Sequence, residues 1–95
     1  MVEQKHTIGK FQGEYTRENV RAVVYEIVAQ QLVKDKSDLS DNLEFAGDLN
    51  ADSLDTVEMI MNLEEVFEPL KVSDEDVEKI KTINQTIDYI INNKR

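Results

Sequence analysis

The chain has 95 residues, no cysteine, and 20 Asp and Glu against 11 Lys and Arg, for a net charge of −9. That balance repels nucleic acid and anionic lipid and attracts basic protein surfaces, while the missing thiols exclude a disulfide, a thiolate metal site and a cysteine nucleophile. One domain of this size buries only roughly 60 to 65% of its unfolded surface, which leaves little room for a deep enclosed active site.

Residues 1–15, MVEQKHTIGKFQGEY, scatter Val2, Ile8, Phe11 and Tyr15 among charges and two glycines. They are expected to form a flexible leader, with a docked segment as the alternative, and His6 is expected to be a solvated tail residue. The leader lacks the basic start and apolar run of a secretory signal, and no apolar stretch approaches the roughly 20 residues that span a bilayer. The expectation is a soluble protein without membrane insertion, working in the cytoplasm, with an organelle matrix or stroma as the alternative.

From Thr16, an N-cap residue, Val20, Val23, Val24, Ile27, Val28 and Leu32 recur at spacings of three and four, the pattern of an amphipathic first helix. Lys34 to Asp52 mixes Ser, Asp and Asn with isolated Leu39, Leu43, Phe45 and Leu49, which suits a long loop pinned by a few apolar anchors. A second helix should start at Asp52 or Ser53 and run to about Phe67, because Pro69 forbids much continuation. Ser73 opens a short acidic helix, with Asp76 three residues on and Val77 and Ile80 facing inward. Thr82 and Gln85 form a capping-box match ahead of Ile83, Ile87, Ile90 and Ile91. The expected architecture over 16–95 is all-α: a small four-helix bundle of three longer helices and a short third one, with a long loop between the first two.

The second helix has two apolar faces. At roughly 100° per residue, Met59, Ile60, Leu63, Val66 and Phe67 share one broad face, which is core. Leu54, Val57 and Met61 fall on the opposite side among Glu58, Glu64, Glu65 and Glu68. No Lys or Arg lies between Lys36 and Lys71. A small greasy centre ringed by acids suits docking, with apolar contact for affinity and charge for steering; the alternative is a solvated acidic face with ordinary exposed apolars.

Ser53 heads this helix, where unpaired backbone N–H groups favour an attached phosphate. As a nucleophile of its own it would need an adjacent base, and the only histidine is His6. A serine presented to another enzyme fits better, and the chain is read as a non-enzyme. Asp48, Asn50 and Asp52 occupy positions one, three and five of a calcium-loop pattern. Ser53 stands where that pattern needs glycine and Met59 where it needs a bidentate glutamate, so an acidic calcium-binding interaction module is a lesser alternative and no metal ligands are assigned.

The stretch DLNADSLDTVE, with D-S-L at Asp52, Ser53 and Leu54, resembles the modification site of acyl carrier proteins. LEEVF at 63–67, DEDVEKI at 74–80 and TIDYI at 86–90 also resemble that family's type II members, as does the order of elements from Thr16 to Ile91. The resemblance implies that Ser53 receives 4′-phosphopantetheine from coenzyme A through a phosphopantetheinyl transferase. Its thiol would carry acyl thioesters between enzymes of fatty acid biosynthesis; an aminoacyl, polyketide or specialised lipid cargo is the alternative. It further implies a monomer that docks on basic enzyme surfaces through Asp52, Leu54, Asp55, Val57, Glu58, Met61, Glu64 and Glu65. Family acyl chains lie between the second and third helices, which makes Met59, Ile60, Leu63, Phe67, Val77 and Ile80 the expected pocket. The chain departs from the pattern in three places: Asn50 replaces a glycine, FEPLKVSDED is one residue longer than usual and contains Pro69, and the leader of about fifteen residues is longer than typical.

Overall fold

The computed structural model describes residues 10–93. Four helices make up an all-α fold: α1 (Arg17–Leu32), α2 (Ser53–Val66), α3 (Asp74–Lys79) and α4 (Ile83–Asn92), with a single 3-10 turn at Lys36–Asp38 in the long loop. Helix α1 packs against both α2 and α4.

Each helix begins at the capping residue its sequence offers. The Thr16 side chain accepts the Asn19 N–H at 3.1 Å, satisfying one of the donors a helix start leaves unpaired. At α4 the exchange is reciprocal: Thr82 Oγ1 accepts the Gln85 N–H and Gln85 Oε1 accepts the Thr82 N–H, both at 3.1 Å. At α3 the exchange is one-sided. Ser73 Oγ accepts the Asp76 N–H at 3.2 Å, while the Asp76 carboxylate takes the Tyr89 hydroxyl at 2.8 Å.

Val20, Val24, Ile27 and Val28 of α1, Met59, Ile60, Leu63 and Val66 of α2, and Ile83, Ile87 and Ile90 of α4 form one buried cluster. The 3.6-residue period brings each set onto one face, and those faces meet. Helix α1 ends at Val33, which is left-handed at φ 56° and 88% exposed; the Lys34 N–H then closes on the Ala29 carbonyl at 2.9 Å. Glycine is the usual residue in such a cap.

The long loop is held at both backbone and side-chain level. Leu39, Phe45, Leu49 and Ala51 are buried. The Phe45 N–H donates to Lys81 O at 2.9 Å and the Ile83 N–H to Leu43 O at 3.2 Å, around an isolated antiparallel bridge between Glu44 and Thr82. Asp41 accepts the Tyr25 hydroxyl at 2.5 Å and lies 3.6 Å from Arg21. Its carbonyl takes the Asn84 N–H at 2.8 Å, so one residue ties α1 to the start of α4.

The expected leader, 1–15, falls within the described residues only from Lys10 on; residues 1–9, His6 among them, lie outside. From Lys10 to Tyr15 the chain is docked. The Phe11 N–H donates to the Val66 carbonyl at 2.6 Å, and Lys10 pairs with Glu68 at 2.6 Å. The Phe11 ring centroid lies 4.9 Å from both Tyr15 and Phe67. Phe67 caps α2, one residue beyond its last turn, and the following Glu68–Pro69 peptide is cis.

Candidate functional site

Three consecutive backbone features present Ser53. Asn50 takes the left-handed conformation, φ 59°, where the family resemblance has glycine; asparagine enters that region more readily than most residues. Ala51 is buried, and its N–H donates to Phe45 O at 2.8 Å. Asp52 is the N-cap of α2: its carboxylate accepts the Asp55 N–H at 2.9 Å, and Asp55 Oδ2 accepts the Asp52 N–H at 3.3 Å. The helix is therefore capped one residue before Ser53. The exposed serine stands in the first turn with its hydroxyl not required for the cap.

Ser53 and Asp52 border a cavity of about 830 Å³ between α2 and α3. Phe45, Ala51, Val57, Ile60, Met61, Val72, Val77 and Ile80 give it apolar walls, and Lys81 stands among Glu44, Asp52, Glu64, Asp74 and Glu78 at its charged positions. Ile60, Val77 and Ile80 of the expected pocket line it. Met59, Leu63 and Phe67 are not among its lining residues; each is only 1% exposed and belongs to the core cluster. A helical wheel separates buried from exposed positions but does not divide a buried face between core and cavity.

Of the expected docking residues, Leu54, Val57 and Met61 are exposed large apolars at 64%, 44% and 60%. Val57 and Met61 thus belong both to the open face of α2 and to the cavity edge. Glu58 and Glu65 are exposed, whereas Asp55 and Glu64 are half-buried. Glu58 Oε1 accepts the Gln31 amide N–H at 3.0 Å, and Gln31 in turn accepts from Asn62 at 2.7 Å, an α1–α2 connection that sequence periodicity did not signal. Glu64 Oε2 accepts the Val72 N–H at 2.8 Å. Lys10 holds the Glu68 carboxyl below the usual range through its hydrogen bond and charge. At the far side of α3, burial and then the Asp76 carboxylate push the Tyr89 phenol up to about 12.

Among the described residues no group of three or more His, Cys, Asp or Glu is placed to hold a metal ion. The acids of the calcium-like pattern serve the backbone: Asp48 accepts the Glu44 N–H at 2.8 Å and Asp52 caps α2. Also among the described residues, no helix is long and apolar enough to cross a membrane.

The site fits an attached arm. An exposed hydroxyl at a helix start, on the lining of a cavity with apolar walls, offers both a point of attachment and a shelter for an apolar group. Comparison with known proteins points the same way. Residues 22–90 match the family described as the phosphopantetheine attachment site. The chain is similar to the acyl carrier protein from Enterococcus faecalis, whose structure is described through novel components that contribute to its high thermal stability. Identity is 38%, TM-score 0.71, and the match covers 83% of this chain and 99% of that one. It is also similar to a putative acyl carrier protein from Anaplasma phagocytophilum, at 38% identity and TM-score 0.76 over 88% of this chain and 98% of the other.

Proposed function

The chain belongs to the acyl carrier protein family, and from that membership we propose that it carries acyl chains for fatty acid biosynthesis, with Ser53 as the attachment point. Like its family, it is a carrier and not itself an enzyme, and 4′-phosphopantetheine is its prosthetic group. When bound, that group supplies a terminal thiol that holds acyl chains as thioesters.

The chain's own residues contribute presentation, shelter and docking. Asp52 and Asp55 stiffen the first turn of α2 so that the Ser53 hydroxyl is offered in one place to an incoming transferase. No base is needed beside the serine, since the transferase brings its own. Val57, Ile60, Val77 and Ile80 give the cavity apolar walls suited to an alkyl chain. Leu54, Val57 and Met61 offer apolar contact to partner enzymes, while Asp52, Asp55, Glu58, Glu64 and Glu65 attract basic surfaces. Contacts of this size should form and break quickly, as a shuttle requires.

Ser53 lines a cavity with apolar walls and stands at the head of the exposed apolar stripe, and that position carries the reading. The test is reconstitution: the pantetheinylated chain is supplied to a complete set of fatty acid synthesis enzymes with acetyl and malonyl donors. Saturated acyl chains should accumulate on it. Refusal of malonyl and acyl units alongside acceptance of an aminoacyl or polyketide unit would move the assignment to another cargo.

A further inference from the structure

By helical position Glu64 stands among the acids of the docking side, yet its carboxylate is engaged within the molecule. Oε2 accepts the Val72 N–H at 2.8 Å, and both residues line the cavity. Val72 belongs to the stretch that leads from Pro69 into α3, the part of the chain that is longer than the family pattern. Its amide is held by a side chain eight residues upstream instead of by backbone.

The wall that Val72 begins rests on the core through two half-buried side chains, Val72 and Val77. Helix α3 is six residues long and none of them is buried. It hangs between the buried Leu70 and Ile80, and on its outer side the Tyr89 hydroxyl of α4 lies 2.8 Å from Asp76 Oδ2 and 3.3 Å from Lys71 O. An element packed by only two half-buried side chains between its buried ends takes much of its exact position from its polar ties. A charge-assisted N–H···O bond is the strongest of the ordinary ones.

We propose that Glu64 is a positioning residue for the cavity wall: its bond to the Val72 amide sets how far the entry to α3 stands from α2, and thereby the length of acyl chain the cavity admits. The proposal rests on the reading that this cavity shelters acyl cargo. It separates two uses of one carboxylate, since docking needs the charge whereas the tie needs an acceptor. Glutamine keeps an acceptor without charge, and alanine removes both.

The test uses the full pantetheinylated chain, loaded with saturated acyl groups of graded length, in wild-type, Glu64→Gln and Glu64→Ala forms. Two quantities are read: amide hydrogen exchange at Val72 by NMR, and the rate of thioester hydrolysis against chain length. Glu64→Ala should exchange at Val72 about tenfold faster, the loss of one hydrogen bond to a charged group, and should protect longer chains than wild type does. Glu64→Gln, which keeps a neutral acceptor, should exchange at Val72 at a rate between those of wild type and Glu64→Ala and stay near the wild-type length limit. Val72 exchange unchanged in Glu64→Ala would overturn the tie, and faster exchange with an unchanged length limit would overturn its role in selection. Hydrolysis independent of chain length in the wild type would instead overturn the sheltering reading, and with it the length limit, while Val72 exchange still reported on the tie.

Discussion

Asp52 and Asp55 cap α2 reciprocally, each carboxylate accepting the other residue's backbone N–H, with Ser53 and Leu54 enclosed between them. Two acids that by charge alone should repel each other are thus held apart by the first turn of the helix and stabilise it. Asp52→Ala should cost about 1 kcal/mol through loss of the cap, a fall in Tm of about 4–8 °C for a domain of this size. Asp52→Ser restores a capping oxygen without charge. It should recover most of the stability while loading by a basic transferase stays slow at low salt, which thermal scans and loading rates together decide; wild-type loading by Asp52→Ser would remove this carboxylate from the docking surface.

Val33 should tolerate replacement by glycine with a gain. A β-branched residue at φ 56° is in a region that costs roughly 1–2 kcal/mol for L-residues, and at 88% exposure its side chain loses almost no packing on removal. Part of the gain is offset by glycine's greater freedom in the unfolded chain. Val33→Gly should therefore raise stability by about 0.5–1 kcal/mol in a urea titration, and a lowered midpoint would show that the cap is not strained.

The docked Lys10–Tyr15 segment makes a separate prediction. The Phe11 ring meets Tyr15 edge-to-face and Phe67 at a tilt, and such pairs contribute about 0.5–1.5 kcal/mol each beyond their buried area. Phe11→Ala should destabilise the domain by about 1–2 kcal/mol and speed exchange of amides near the C-terminal end of α2. No change in either would mean that residues 10–15 do not hold Phe67.

The order of elements was legible in the sequence because its signals are local. Thr16, Ser73 and Thr82 with Gln85 sit next to the helices they cap, and the valine and isoleucine periods mark the faces that meet. Asn50 stands where the family pattern has glycine and takes the left-handed turn that glycine would, whereas the left-handed Val33 carried no such signal. The contacts that escaped sequence reasoning join distant positions with no periodic trace: Phe11 to Phe67, Gln31 to Glu58, Glu64 to Val72, and Tyr89 to Asp76. The pocket shows the same limit. Ile60 and Leu63 read alike on a helical wheel, yet only Ile60 reaches the cavity, because the approach of α3 and the loop before it decides which part of that face is core.

Alkaline pH should expose two long-range ties, Tyr25 to Asp41 and Tyr89 to Asp76. Burial, then the hydrogen bond and charge of Asp41, push the Tyr25 phenol up to about 12, and burial with Asp76 does the same for Tyr89. The folded state holds these protons more tightly than the unfolded chain, whose phenols titrate near 10. Their contribution to stability is thus complete below pH 10 and lost as pH rises toward about 12. Urea midpoints should fall across that window, and Tyr25→Phe should lower the midpoint at neutral pH while flattening the alkaline fall; equal slopes for wild type and variant would deny Tyr25 a part in it.

Everything proposed for the cavity and the docking face depends on Ser53 as the point of attachment. The most direct measurement of that attachment is the intact mass of the chain after incubation with coenzyme A, magnesium and a phosphopantetheinyl transferase of broad specificity, with Ser53→Ala in parallel. The wild type should gain one phosphopantetheine unit and Ser53→Ala none. No gain on the wild type, or the same gain on both, would contradict attachment at Ser53.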